Sequence, residues 1–93
     1  MLPMVASIWV ADLRISRATA DKLSSVHGID ADEVRDAIQC VQGLQFSWND
    51  HPERGLRAII ETMVRGRRCL VVLYPRSDDA FGDAWDLGSA YPI

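Results

Sequence analysis

Six consecutive residues, Cys69-Leu70-Val71-Val72-Leu73-Tyr74, constrain this chain more than any other stretch. The run is too short for a typical helix and rich in β-branched residues, so it reads as a strand. Arg67 and Arg68 come before it and Pro75 closes it. Successive side chains of a strand point to opposite faces. Leu70, Val72 and Tyr74 therefore share one side, and Cys69, Val71 and Leu73 the other. Both sides are apolar. Such a strand belongs inside a sheet, covered above and below, and the other residues are read as its neighbours and its cover.

Residues 7–15 read as a first strand, with Trp9, Ala11, Leu13 and Ile15 alternating with Val10, Asp12 and Arg14. Ser16 is the expected N-cap of a helix over 17–27. Thr19, Leu23 and Val26 form its apolar stripe, and Gly28 stands at its left-handed stop. Asp30 opens a second helix with Glu33 three residues on, an aspartate form of the capping box. Val34, Ala37, Ile38 and Val41 mark its buried face, and Gly43 its end. Two short helices joined by a tight turn make a hairpin that can lie across one face of a sheet.

Leu44, Phe46 and Trp48 then alternate with Gln45, Ser47 and Asn49 in a second strand, and residues 49–55 are dense in turn formers. In a third strand over 56–64, Ala58, Ile60, Thr62 and Val64 lie opposite Arg57, Ile59, Glu61 and Met63. Arg65-Gly66-Arg67 turns the chain into the central strand, the glycine supplying the positive φ of a tight hairpin. After a polar loop over 75–83, a last strand over 84–91 sets Trp85, Leu87, Ser89 and Tyr91 on one side. The expected fold is α+β: an N-terminal strand, a helical hairpin and a four-stranded antiparallel meander, in the order β-α-α-β-β-β-β.

Ninety-three residues make one domain, 1–93, with no room for a second core. No stretch reaches the roughly 18 apolar residues of a membrane span, and residues 1–6 are apolar but lack the basic start of a secretion signal. The expected setting is the cytoplasm, away from any membrane. Cys40 and Cys69 each sit in an apolar pattern and read as reduced core thiols. Together with His27 and His51 they match no metal-ligand spacing, and no cofactor is expected. Trp9, Trp48 and Trp85 read as core.

The net charge of −3 argues against a generic nucleic-acid binder, but the charges are unevenly placed. Residues 1–50 hold four basic and seven acidic side chains; residues 51–77 hold six arginines against two glutamates; residues 78–93 hold four aspartates and no base. A basic middle of this kind is either a binding surface or a solvated strand face. Asp78, Asp79, Asp83 and Asp86 match no calcium-loop spacing; they read as a charged loop that keeps an edge strand from pairing.

Four local patterns in this order resemble the BrnT-like toxins of the RelE superfamily. They are His27-Gly28-Ile29 with Glu33 and Val34, the stretch from Glu53-Arg54 to Arg57, Arg65-Gly66-Arg67 running into Leu70-Val71-Val72, and Ser89-Ala90 near the end of the last strand. The resemblance covers about residues 8–91. Tyr91 stands where the family's Ser-Ala-Arg places arginine, and the family's C-terminal helix has no counterpart in these 93 residues. The resemblance implies a RelE-like fold, a metal-independent ribonuclease that cleaves RNA, and a cognate antitoxin protein that covers the RNA-binding face.

Cleavage of RNA by its own 2′-hydroxyl needs a base, an acid and positive charge on the phosphate. His51, in a loop beside Glu53 and Arg54, is the candidate acid or base. Arg57 and Arg67 are the candidate phosphate-binding catalytic residues, because a guanidinium fork donates two parallel hydrogen bonds. In a hairpin closed at Gly66 those two lie at opposite ends of their strands, roughly 20 Å or more apart, so they line a track and do not grip one phosphate. Arg54, Arg65, Arg68 and Tyr91 are the candidate RNA contacts. His27 is read as a helix-end residue. The competing expectation is a non-catalytic module that uses a sheet face or edge to bind protein, a homodimer included.

Overall fold

The computed structural model describes residues 7–77 and 82–93. The apolar residues 1–6 and the Asp78 and Asp79 part of the acidic cluster lie outside the described residues. The chain folds as β1 (Ser7–Ile8), β2 (Asp12–Arg14), a helix α1 that is α-helical over Arg17–Lys22 and widens to a π-helical turn over Leu23–His27, α2 (Ala31–Ile38), β3 (Leu44–His51), β4 (Gly55–Val64), β5 (Arg67–Pro75) and β6 (Ala84–Pro92). The class is α+β. The helical hairpin and the antiparallel meander β3-β4-β5-β6 stand as the residue pattern predicts.

The N-terminal strand does not stay whole. Its first half, β1, pairs antiparallel with β3, and its second half, β2, pairs parallel with β6, giving a mixed sheet of order β1-β3-β4-β5-β6-β2. Laid flat, six strands about 4.8 Å apart would separate β1 from β2 by roughly 24 Å. The four peptide steps from Ile8 to Asp12 reach at most about 14 Å. The sheet therefore curls until its two edges approach each other. The side-chain phase slips at the crossing: Ile8 and Val10 are buried, then Leu13, while Trp9 is half-exposed. Strict alternation over 7–15 hides that slip.

The end of α2 clasps the crossing. Val10 bridges in parallel to Gln39, and the Cys40 N–H donates to the Val10 carbonyl at 2.7 Å. The Leu13 N–H donates to Gln39 Oε1 at 3.0 Å, and Arg35 Nη2 donates to the Leu13 carbonyl at 3.1 Å. These bonds explain why α2 stops at Ile38, short of Val41 and Gly43. Gln39 is already extended and Cys40 takes φ 58. Cys40 is consequently exposed, and only Cys69 is the expected core thiol.

Ser16 caps α1 as expected, its hydroxyl accepting from the Thr19 N–H at 3.1 Å, and Gly28 ends the helix at φ 64. Leu23 faces the core, whereas Val26 is 61% exposed, because the wider π turn rotates it off the stripe. Asp30 caps α2 through the Asp32 N–H at 2.8 Å. The expected capping box stays open: Glu33 turns away to accept from Arg65 Nη1 at 2.9 Å.

The core lies between the helices and one face of the sheet. Leu23, Ile29, Val34 and Ile38 pack against Ala58, Ile60, Val64, Cys69, Val71, Leu73, Trp85 and Leu87. Each fully buried Leu or Ile contributes roughly 1.5–3 kcal/mol, so this face carries most of the stability. The other face of β5, expected to be covered as well, has no helix on it among the described residues. Val72 is nonetheless buried, shielded by its own sheet neighbours. Along β6 the register shifts at Val72/Leu73, so that Val72 pairs with Ser89 and Leu73 with Leu87. Gly88 is the extra residue. The phase change brings Ala90 into the core in place of Ser89, and the Tyr74 ring lies over the hydrogen face of Gly88, where a Cβ would sit 2.3 Å from Tyr74 Cε2.

Candidate functional site

The register fixes where each candidate residue stands. On β4, Ala58, Ile60 and Val64 are buried against the helices, so Arg57, Ile59, Glu61 and Met63 project from the opposite, helix-free face. Their cross-strand partners Asn49 and Ser47 on β3, and Val72, Leu70 and Arg68 on β5, share that face. Arg57 Nε donates to Asn49 Oδ1 at 2.8 Å, and Arg68 pairs with Glu61. On the same face, at the β2–β6 pairing, Arg14 Nε meets Asp86 at 2.6 Å.

The other candidate arginines lie elsewhere. Arg65 turns to Glu33 of α2. Arg67 lines a small cleft with Gly28, Ile29 and Val64 on the helix side, and Arg54 lies in the turn at the far end of β4. Ala58 pairs with Leu73 and Val64 with Arg67, so Arg57 and Arg67 are about 20 Å apart along the strands, on opposite faces of the sheet. The arginine-rich middle of the chain is thus distributed over both faces and both ends.

His51 closes β3, which extends two residues beyond the alternation that ends at Asn49. The Glu53 and Arg54 backbone N–H groups both donate to His51 Nδ1, each at 3.1 Å. An acceptor Nδ1 puts the proton of a neutral imidazole on Nε2. In this turn His51 presents a donor to solvent, and its lone pair is spent on the backbone. Tyr91 stands near the end of β6, paired with Leu70 of β5 and with its ring 6.1 Å from that of His27. Among the described residues no group of three or more His, Cys, Asp or Glu is placed to hold a metal ion.

Between β3, β4 and β5 the helix-free face holds a groove of about 450 Å³ whose lining includes Ser47, Ile59, Glu61, Met63, Arg68 and Leu70. Met63 is 52% exposed beside it. On the other face, Trp48 stacks edge-on against Phe46 at 5.2 Å and lies 6.0 Å from Trp85; of the three tryptophans only Trp85 is buried as expected. The groove and the Asn49–Arg57 pair escape a reading of the sequence that ends the strand at Asn49. Extending β3 to His51 puts Asn49 opposite Arg57, and that register is the signal that finds the pair.

No protein-family model, curated protein or solved structure matches this chain. Among the described residues, no helix is long and apolar enough to cross a membrane.

Proposed function

We propose that the domain is a protein-binding module that receives a separate polypeptide on the helix-free face of its sheet. The observation that carries this reading is the groove beside Met63, a hollow in which Ile59, Met63 and Leu70 stand among polar side chains such as Ser47, Glu61 and Arg68, on a face that no helix of the described residues covers. A half-exposed methionine adapts its shape to a partner side chain at little cost. The ion pairs Arg68–Glu61 and Arg14–Asp86 neutralise much of the positive charge that an RNA surface would keep.

A BrnT-like ribonuclease toxin on a RelE-like fold is the second reading, and on it the polypeptide is the cognate antitoxin. One observation favours it: Arg54, Arg57 and Arg67 make no ion pair with a carboxylate among the described residues, which leaves them available to phosphate. Tightly controlled induction in a bacterial host separates the two readings. Unimpaired growth with intact total RNA at good expression is the result expected of the binding module. Growth arrest with RNA loss, both abolished by Arg57→Ala with Arg67→Ala in a protein that still folds, would overturn it in favour of the toxin. Sedimentation at rising concentration shows whether the partner is a second copy of the chain.

A further inference from the structure

We infer that Arg57 is the anchor of this groove, and that the groove takes a peptide segment carrying a carboxylate side chain next to apolar ones. The inference rests on the reading of the helix-free face as the binding surface and adds to it the chemistry of the partner.

Arg14, Arg57 and Arg68 project from that face, and Arg14 and Arg68 are already satisfied. Arg14 is held by Asp86 and Arg68 by Glu61. Arg57 has only the amide oxygen of Asn49, which takes its Nε–H at 2.8 Å. A guanidinium has five N–H donors in a rigid plane. With Nε tied to β3, the terminal edge of Nη1 and Nη2 is left unspent, and it has the spacing of a carboxylate's two oxygens. The half-buried side chain is also oriented in advance by its bond to Asn49, so little side-chain freedom is lost on binding.

The apolar part of the site follows directly. Ser47 and Ile59, which pair across β3 and β4, are the next outward-facing residues after Asn49 and Arg57, about 7 Å along the strands. They form the near end of the groove, with Leu70 and Met63 beyond. A segment lying along β4 thus meets a cation first and then a hollow in which Ile59, Leu70 and Met63 offer apolar contact. Nucleic acid fits this groove less well: a single-stranded chain needs a positively charged groove along its backbone, and the arginine in the groove's lining, Arg68, is paired with Glu61.

The test is to pan a phage-displayed library of random 12-residue peptides against the full folded chain, then measure recovered peptides against three variants that keep cooperative melting. Recovered peptides are expected to share an Asp or Glu flanked by apolar residues. Arg57→Gln is expected to weaken them by about 10- to 100-fold, the range of a charge-assisted contact. Asn49→Ala, which keeps the charge but releases Nε, should cost a few-fold, and replacing the peptide's acid by its amide should cost nothing further in the Arg57→Gln protein. Peptides that Met63→Glu abolishes but Arg57→Gln leaves unchanged would overturn the anchor and leave the groove reading standing. Failure to recover any peptide sensitive to Met63→Glu would overturn both. Binding of polyuridine that Arg57→Gln abolishes, without peptide binding, would reassign the face to RNA.

Discussion

Gly88→Ala is the substitution whose effect this structure fixes most closely. An added Cβ would sit 2.3 Å from Tyr74 Cε2 and 2.8 Å from Cδ2, well inside the 3.5–4.0 Å of ordinary carbon contact. The ring must move by more than 1 Å, and it has little room: its hydroxyl is buried without a hydrogen-bond partner. Overpacking of this kind costs about 1–3 kcal/mol, and a 2 kcal/mol loss lowers Tm by roughly 8–16 °C in a domain of this size. The glycine's φ is not in the left-handed region, so alanine brings no backbone strain. Without the ring the sign should therefore reverse, because alanine in a strand is favoured over glycine by roughly 0.5–1 kcal/mol. The assay is a double-mutant cycle by urea unfolding with Gly88→Ala, Tyr74→Ala and the pair. Gly88→Ala should destabilise the wild type and be neutral or stabilising in Tyr74→Ala. If the two changes add within about 0.5 kcal/mol, the Tyr74 ring does not rest on Gly88 and the bulge has another cause.

His51→Ala removes the acceptor of two backbone N–H groups and should cost about 1–2 kcal/mol, with faster hydrogen exchange at Glu53 and Arg54; His51→Asn, whose amide oxygen can take one of them, should recover part of both. Arg65 and Gly66 both have positive φ, 50 and 78, in a two-residue hairpin turn, so Arg65→Asn creates the preferred Asn-Gly pair. It should leave stability unchanged or raise it by up to about 1 kcal/mol in chemical denaturation, since the exposed Arg65–Glu33 pair it removes contributes little. Gln39→Ala leaves the part-buried Leu13 N–H without its acceptor and should cost about 1–3 kcal/mol, with lost exchange protection at Leu13 as the local readout.

The parts of this fold that are legible in the sequence are those governed by short-range pattern. The caps at Ser16 and Asp30, the stop at Gly28, the Arg65-Gly66 turn and the apolar face of β4 are set by neighbours within a few residues. The split of the first strand is not, because nothing in the alternation from Trp9 to Ile15 says that the chain changes edges there. That change is decided by Gln39 and Arg35, more than 20 residues away, which supply the hydrogen bonds that the crossing lacks. Tyr91 and Ser89 illustrate the same limit: a one-residue bulge at Gly88 reverses the faces of every residue after it, and the ring packed over that glycine comes from the neighbouring strand.

The candidate arginines are dispersed for a related reason. Charge density along a chain is a one-dimensional quantity, whereas a binding surface requires charges on one face. Residues 51–77 hold six arginines, but β-strand alternation and the turn at Gly66 send them to both sides of the sheet. Each one's surroundings then decide whether its charge is available. Glu33 and Glu61 take up Arg65 and Arg68, and Asp12 takes up Arg76. Arg57 differs because its cross-strand partner is an amide: Asn49 fixes the guanidinium without neutralising it. Asn49→Asp would supply that neutralising charge in the same place. It should therefore weaken an acidic ligand at Arg57 more than Asn49→Ala does, although it strengthens the bond between β3 and β4. Equal affinity of the two variants for a recovered acidic peptide would mean that the charge of Arg57 plays no part in the contact.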